Sequence, residues 1–261
     1  MIDKTHRVKV VRHDGSGIAR TDDVVAAEDP LEIRLGDTPI AVVMRTPGDD
    51  ADLVTGFLLT EGILLTPDEL DHIEHLDDSR VRTYLTPGVE LDPERFRRNM
   101  FVSSSCGVCG KASIEAVQLV ARPAPEFTVT PSVLTELTQA LRTRQPTFDE
   151  TGGLHAAGLF DLKGKALAVR EDVGRHNAVD KAIGVAAKLR WPLPPCVLVV
   201  SGRQSFEIVQ KAAVAGIGAI VGVSAPSSLA VELAESLGTL LIGFARGDTF
   251  NVYAGSARLS G

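Results

Sequence analysis

Hydrophobic residues in the second half of the chain fall into short runs separated by segments of helical periodicity. Three such runs, at residues 196–200, 219–223 and 240–244, alternate with stretches whose apolar positions recur at the spacing of a helix. A run that is apolar throughout is typical of a strand buried on both faces, and connections of this length join parallel strands by right-handed crossovers. The pattern therefore predicts an α/β fold, three layers deep, with a largely parallel sheet in the C-terminal half.

The elements before these runs are less regular. A hairpin is predicted at 155–161 and 166–170, followed by a helix over 177–189, and helices are also predicted at 111–121 and from Thr130 onward. The first hundred residues favour short strands separated by Gly, Pro and Asp. The sequence thus predicts a β-rich part over 1–100 packed on an α/β core over 101–261, with one domain as the alternative. Further elements expected in the first part are strands at 7–11, 32–35, 40–44 and 80–85, a helix at 50–59, and a helix start at Thr66-Pro67-Asp68-Glu69.

Bulk properties restrict the class of protein. The 261 residues carry a net charge of −7 with a pI near 5.4, which argues against a general nucleic-acid binder. No stretch approaches the roughly 18 consecutive apolar residues of a membrane span, and the first residues lack the apolar centre of a signal peptide. Three cysteines make a poor disulfide framework, so a cytoplasmic protein is expected, without membrane or nucleic-acid partners.

The pair Cys106-Gly107-Val108-Cys109 is the most reactive feature of the sequence. Spacing alone leaves three uses open: half of a zinc site, a thioredoxin-like dithiol, or a nucleophilic sulfur carrier. No second pair is present, and Cys196 lies in an apolar run where a buried, inert thiol is expected, so zinc would have to recruit His155 or His176. We expect no bound metal.

Residues around the pair favour nucleophilic chemistry. Gly107 and Gly110 allow the loop to move, and Lys111 together with the start of the following helix would stabilise a thiolate. Such a thiolate can attack the outer sulfur of a donor persulfide and carry that sulfur onward.

Three loops that follow the predicted parallel strands are rich in small polar residues. They are 201–205, 224–228 and 245–248, and they include Ser201, Arg203, Ser224 and Arg246. Ligands of open α/β sheets bind beyond the carboxyl ends of the strands, and arginine forks suit phosphate. These loops therefore predict one pocket for a phosphate-bearing ligand, although Ser and Gly are also ordinary helix-capping residues.

The segment 171–177 ends a strand and opens a helix, which places Arg175, His176 and Asn177 near one surface. The alternative is structural, with Asp172 paired to Arg175 and His176 capping the helix. His155, in an otherwise apolar strand, is on pattern more typical of a satisfied core histidine than of a ligand. His72 and His75 lie among acidic residues and are expected on the protein surface.

Four motifs in order resemble the formate dehydrogenase accessory sulfurtransferase (FdhD-type) family: SCGVCG at 105–110, GGLHAA at 152–157, EDVGRHN at 171–177 with Asp180-Lys181, and SFEIVQK at 205–211. The resemblance covers nearly the whole chain. It implies a cytidine deaminase-like fold, a homodimer, and sulfur relay from a cysteine desulfurase to a molybdenum bis(molybdopterin guanine dinucleotide) cofactor for the formate dehydrogenase catalytic subunit.

The resemblance also implies which residues act. The persulfide belongs on the first cysteine, Cys106, with Cys109 assisting. The family's cofactor-contact segment corresponds to Ala245, Arg246, Gly247, Asp248, Thr249 and Phe250. Many family members carry a second basic residue in that segment, where this chain has Asp248 or Thr249.

Two functions other than sulfur transfer are alternatives: a zinc-dependent hydrolase and a non-catalytic chaperone. A zinc-dependent deaminase-like hydrolase would need a Glu two residues after its ligand, but Ala156 and Ala157 follow His155, and the cysteines precede the histidine. A non-catalytic chaperone that holds the cofactor would use the same loops and is distinguished only by the cysteine pair.

Overall fold

The computed structural model describes residues 3–90 and 110–260, with side chains of the helix at Gly110 described from Ile114 onward. The first part of the chain forms an antiparallel hairpin, a four-stranded sheet and one helix, α1. The sheet has the order β4-β3-β6-β5, in which β3 and β6 are parallel and the other pairs antiparallel. The bounds are β1 Thr5–His13, β2 Ile18–Ala26, β3 Asp29–Leu35, β4 Thr38–Arg45, α1 Asp50–Thr60, β5 Leu70–Asp77 and β6 Arg80–Leu85.

A six-stranded sheet forms the centre of the C-terminal half. Its strands are β7 His155–Asp161, β8 Ala166–Asp172, β9 Cys196–Val200, β10 Ala219–Gly222, β11 Leu240–Arg246 and β12 Thr249–Ala254. They lie in the order β12-β11-β10-β9-β7-β8, with β9, β10 and β11 parallel and the flanking strands antiparallel. The predicted parallel strands are therefore confirmed.

Helices cover both faces of this sheet. They are α2 Gly110–Val120, α3 Pro131–Arg142, α4 Pro146–Thr151, α5 Arg175–Leu189, α6 Phe206–Val214 and α7 Ser228–Leu237. Leu134, Leu137 and Leu141 of α3 are buried against one face, while α5, α6 and α7 bury their apolar sides against the other. The α/β fold in three layers is thus as predicted. Its cytidine deaminase-like character stays a prediction.

Helix α1 joins the N-terminal sheet to the C-terminal half. Leu53, Val54 and Leu58 are buried under the four-stranded sheet, and Ala187 of α5 belongs to the same apolar cluster. The two helices cross so closely that a Cβ at Gly56 would collide with the carbonyl oxygen of Asp180. The boundary predicted near residue 100 falls outside the described residues and stays a prediction.

The helix start expected at Thr66 is confirmed, but the helix lasts only one turn. Residues Pro67–Glu69 form a single 3-10 turn, after which β5 begins and pairs with β6. The Glu69 carboxylate does accept a hydrogen bond from the backbone of Leu65 at 2.7 Å, as a capping residue would. Pairing of the following residues with β6 ends the helical turn. None of the helices within the described ranges is long and apolar enough to cross a membrane.

Candidate ligand site at the carboxyl edge of the six-stranded sheet

The loops that follow β9 and β10 are held directly against each other. Gln204 and Pro226 form an isolated bridge, in which the Gln204 amide donates to the Ala225 carbonyl at 3.3 Å and its carbonyl accepts from Ser227 at 3.0 Å. Two of the three loops that the sequence placed in one pocket are therefore neighbours in space.

The Gln204 side chain extends this connection to the third strand. It is fully buried, and its Nε2 donates to the carbonyl of Ile242 in β11 at 2.8 Å. Gly222 permits this path, because a Cβ there would collide with the Gln204 amide. The Phe244 amide also donates to the Ser224 carbonyl at 3.1 Å. Sequence reasoning missed Gln204, since a glutamine after a strand carries no distinctive pattern.

The predicted contact residues differ in exposure. Ser201 and Ser224 are half-buried at their strand ends, whereas Arg203 and Arg246 are exposed. Ala245 is 2% exposed and packs in the core below α3. Of the remaining predicted residues, Gly247 and Asp248 form the exposed turn between β11 and β12, Thr249 pairs with Arg246, and Phe250 is partly buried.

Cys106 and Cys109 lie outside the described residues, but the helix that follows them is placed. Helix α2 begins at Gly110, and Val117 is buried in the core that α5, α6 and α7 share. Ala116 and Val120 border Glu61 at the end of α1 and Gln210 of α6. The helix after the cysteine pair thus rests on α6.

Cys196 is placed as the sequence predicted. Its side chain is 2% exposed, and burial raises the pKa of the thiol to about 12. It therefore remains a neutral thiol at physiological pH and does not act as a nucleophile. Among the described residues, no group of three or more His, Cys, Asp or Glu side chains is arranged to hold a metal ion.

His155 is not a satisfied core histidine. It is half-buried at the start of β7, and it lines a cavity of about 450 Å³ with Ser201 and Val223. Its ring makes no hydrogen bond to another described residue. Burial and the neighbouring Arg175 lower the pKa of His155, so the imidazole is neutral at pH 7. The strand places a polar ring at a cavity because β7 runs antiparallel to β9, which brings its first residue to the carboxyl edge.

His176 and Arg175 open helix α5 beside the same edge. His176 Nε2 lies 3.2 Å from Ser205 Oγ and 3.9 Å from the Glu207 carboxylate. Burial, with Arg175 and Lys211 nearby, lowers the pKa of His176 to about 4. Arg175 makes no ion pair with a described residue, and its buried Nε has no hydrogen-bond partner in the described part of the chain.

The proposed pair between Asp172 and Arg175 is wrong. Asp172 instead binds Lys181, at 2.8 Å, and both side chains are fully enclosed. Asp172 also accepts hydrogen bonds from the backbone of Thr46 and Gly174 and from the side chain of Asn177. These bonds tie the start of α5 to the end of β4, so this part of the motif is structural.

Lys211 is the centre of a second buried network. Its Nζ lies 2.6 Å from the Glu61 carboxylate, 3.0 Å from Asp180 and 3.1 Å from the Thr60 hydroxyl. Burial lowers the pKa of Lys211, but the two carboxylates outweigh it and the pKa rises above its ordinary value. For the carboxylic acid Asp180, burial has the opposite effect and raises the pKa to about 6, which still leaves the group ionised at pH 7. The network joins α1, α5 and α6 beneath the helix that follows the cysteine pair.

Acid is expected to destabilise the fold through His176. The folded-state pKa is about 4, below the 6.5 of an unfolded histidine, so its contribution is present above pH 6.5 and is lost as pH falls toward 4. Asp180 acts in the opposite sense, because its raised pKa makes the native state bind the extra proton below pH 6. The difference in melting temperature between wild type and His176→Gln should therefore decrease by about 2–4 °C between pH 7 and pH 4.5. This value allows for solvent screening of the partly exposed imidazole.

The exposed His75 on β5 supplies the control for this experiment. His75→Gln should keep the wild-type dependence of melting temperature on pH. A His176→Gln variant that keeps it as well would show that the pKa of this imidazole is the same in the folded and unfolded states, and would contradict the lowered value.

Comparisons with known proteins agree with the motif order. The profile of the FdhD/NarQ family matches residues 26–260. The "Sulfur carrier protein FdhD" of Streptomyces coelicolor is 48% identical over 270 residues, which cover 98% of this chain and 96% of that protein. The protein of the same name in Sulfolobus acidocaldarius is 42% identical over 254 residues, which cover 97% of this chain and 98% of that protein.

A solved structure is also similar. It comes from Desulfotalea psychrophila and was described as that of a candidate formate dehydrogenase accessory protein; it superposes with a TM-score of 0.80 at 24% identity, over 99% of this chain and 100% of that one. This likeness establishes a shared fold.

Proposed function

The chain belongs to the FdhD/NarQ family, and we propose that it is a sulfurtransferase that carries sulfur as a persulfide on Cys106. The donor is a cysteine desulfurase. The acceptor is the molybdenum bis(molybdopterin guanine dinucleotide) cofactor, which is a substrate here and receives sulfur before insertion into the formate dehydrogenase catalytic subunit. The protein acts in the cytoplasm as a homodimer.

The chemistry of loading needs no external oxidant. The Cys106 thiolate attacks the outer sulfur of the desulfurase persulfide, a new S–S bond forms on Cys106, and the donor cysteine leaves as a thiolate. Release requires two electrons, because the carried sulfur leaves at the oxidation level of sulfide. Attack of the Cys109 thiolate on the inner sulfur of Cys106 supplies them, giving hydrosulfide and a Cys106–Cys109 disulfide that a cellular dithiol reduces.

The observation that carries the proposal is the position of α2. This helix begins at Gly110, so the positive end of its dipole lies at the residue that directly follows Cys109 in the chain. Thiolates next to helix N-termini are stabilised and become effective nucleophiles and leaving groups. By contrast, Cys196 has a raised pKa in the core and takes no part.

Delivery is tested with formate dehydrogenase that lacks its cofactor, supplied with molybdenum cofactor from cells that lack this protein. Addition of the loaded, full-length chain is expected to restore formate oxidation. Chain treated with cyanide, which removes persulfide sulfur as thiocyanate, should restore none until it is loaded again. Equal activation by loaded and cyanide-treated chain would contradict sulfur delivery and favour a role in cofactor binding alone.

The phosphates of the cofactor bind, on this proposal, over Ser201–Ser205, Ser224–Ser228 and the exposed Arg246. Arg246→Ala should weaken binding of GDP about ten- to a hundredfold, since a charge-assisted contact contributes about 1.5–3 kcal/mol. Calorimetry measures this directly. Persulfide loading should remain, because it involves the desulfurase and not the nucleotide.

Arg190 offers a matched control for Arg246. It is also exposed, but it precedes β9 and therefore lies toward the opposite edge of the parallel strands. Arg190→Ala should bind GDP as wild type does. Unchanged affinity in Arg246→Ala would remove this side chain from the site.

A further inference from the structure

Exposed apolar side chains lie together at the amino edge of the six-stranded sheet, opposite the candidate ligand site. Leu119 near the end of α2 is 81% exposed, Leu189 at the end of α5 is 78% exposed, and Leu65 after α1 is 47% exposed. Trp191, which follows α5, is only partly buried. Single exposed leucines are normal on a protein surface, but a contiguous group of them is typical of an interaction surface.

Contacts of Trp191 bring these leucines together. Its indole Nε1 donates to the carbonyl of Leu65 at 3.0 Å, and the Arg122 guanidinium lies 4.8 Å from the centre of its ring. Arg122 also donates to the Leu65 carbonyl. Leu119 lies about one helical turn before Arg122, and Leu189 directly precedes Arg190 and Trp191. The amino-edge surface consists of Leu65, Leu119, Arg122, Leu189, Arg190 and Trp191.

The fold places this surface away from the loops that we assign to the cofactor. The Arg122 amide donates to the carbonyl of Ala213 at 3.0 Å, near the end of α6, and the chain runs from there into the start of β10. Trp191 lies between the end of α5 and the start of β9. A protein docked at the amino edge therefore leaves the carboxyl ends of the parallel strands open to a second ligand.

Arg190 adds a positive charge to the amino-edge surface, on a protein whose net charge is −7. It is exposed, and its guanidinium makes no ion pair or hydrogen bond with any described residue. The carboxylate of Glu69 borders Leu65 and already accepts a hydrogen bond from its backbone at 2.7 Å. In a two-fold interface between identical chains the surface would meet its own copy, and Arg190 would face like charge. The charge instead favours a partner that offers apolar side chains together with carboxylates.

Helix α2 connects the amino-edge surface with the cysteine pair. It carries Leu119 in its last turn and begins at Gly110, the residue after Cys109 in the chain, and its 11 residues span about 16 Å at the usual helical rise. A protein interface of ordinary size buries about 800 Å² on each side, which corresponds to a radius of about 16 Å. A partner centred on the amino-edge surface therefore reaches the start of α2.

We propose that the amino-edge surface docks the cysteine desulfurase, through a segment of that enzyme that combines apolar side chains with carboxylates. The inference rests on the proposed function and names the docking surface for its donor. The donor persulfide has to approach the cysteine pair, whereas the cofactor is assigned to the opposite edge of the sheet. Separate faces allow donor and acceptor to bind without competing for one surface.

The test measures binding of the purified cysteine desulfurase to the immobilised full chain by surface plasmon resonance. Leu189→Asp should weaken binding about ten- to a hundredfold, because it places a carboxylate at an apolar contact. Arg190→Glu should weaken binding at low salt and have a smaller effect at high salt, as screening reduces the contribution of an exposed charge. Both side chains are exposed, so both variants should have the melting temperature of wild type.

Ile18→Asp and Arg20→Glu on the β1–β2 hairpin are the matched controls. Ile18 is 75% exposed and Arg20 is also exposed, so these variants make the same changes of charge elsewhere and should bind the desulfurase like wild type. Wild-type affinity in Leu189→Asp and Arg190→Glu, or an equal loss in the controls, would overturn the proposal. Loss of the homodimer in the amino-edge variants would also overturn it, because the surface would then join two copies of this chain.

Loading from two donors separates the docking surface from sulfur carriage itself. Glutathione persulfide gives its outer sulfur to a thiolate, leaves as the glutathione thiolate, and is too small to need a docking surface. Leu189→Asp should therefore load normally from glutathione persulfide and slowly from the desulfurase at low concentration. Equally slow loading from both donors would contradict docking. A wild-type chain that loads from glutathione persulfide but does not bind the desulfurase rejects only the docking surface, and one that loads from neither donor rejects sulfur carriage as well.

Discussion

Cys106→Ala is expected to accept no labelled sulfur from a cysteine desulfurase, whereas Cys109→Ala should load like wild type. Loading requires only the attacking thiolate, and the donor sulfur is transferred before Cys109 takes part. Release does require Cys109, so the loaded Cys109→Ala variant should retain its label and activate formate dehydrogenase poorly. Radiolabelled cysteine, gel separation without reductant, and an activity assay measure the two steps independently.

Cys196→Ala is the control for this series, because its thiol is buried with a raised pKa and should not carry sulfur. Label that persists in Cys106→Ala and disappears in Cys109→Ala would reverse the two assignments. If neither variant changes activation of formate dehydrogenase, the protein is a cofactor-holding chaperone and not a sulfurtransferase.

Lys211→Met is expected to lower the free energy of unfolding by about 3–5 kcal/mol, the usual cost of removing one partner from a buried ion pair. The variant would leave the carboxylates of Glu61 and Asp180 enclosed without their cation. Urea denaturation followed by circular dichroism measures the change. Adding Glu61→Gln and Asp180→Asn to the variant should recover part of the loss, since no uncompensated charge then remains.

The exposed pair between Lys188 and Asp52 provides the comparison. These groups lie 3.0 Å apart, but Lys188 is 38% exposed, and Lys188→Met should therefore cost less than about 1 kcal/mol. A Lys211→Met variant as stable as Lys188→Met would show that the network contributes little. Because α2 rests on α6, the destabilised variant should also load sulfur more slowly.

The parallel core was predictable because its signal is local. Each of β9, β10 and β11 contains a short apolar run, which is typical of a strand covered on both faces. The residues 70–77 were not predictable in the same way, since their apolar residues are sparse and their strand depends on pairing with β6. The capping signal at Thr66 marked only the short 3-10 turn that precedes this strand.

In the candidate site, the sequence predicted that the loops at 201–205 and 224–228 are neighbours, whereas the role of the cysteine pair stays a prediction. Lys181 and Lys211 belong to the family motifs, yet both are buried against carboxylates, and Glu61, one partner of Lys211, lies far away in sequence. Gln204 also carries no distinctive pattern, because its contact with the carbonyl of Ile242 is a property of the folded environment. Such residues are identified from contacts, not from spacing.

Intact-mass analysis of the full chain, after incubation with a cysteine desulfurase and cysteine, tests the central claim most directly. Sulfur carriage predicts a mass increase of one sulfur atom that cyanide reverses, and peptide mapping should place it on Cys106. An unchanged mass, or an added sulfur confined to Cys109 or Cys196, would contradict the account.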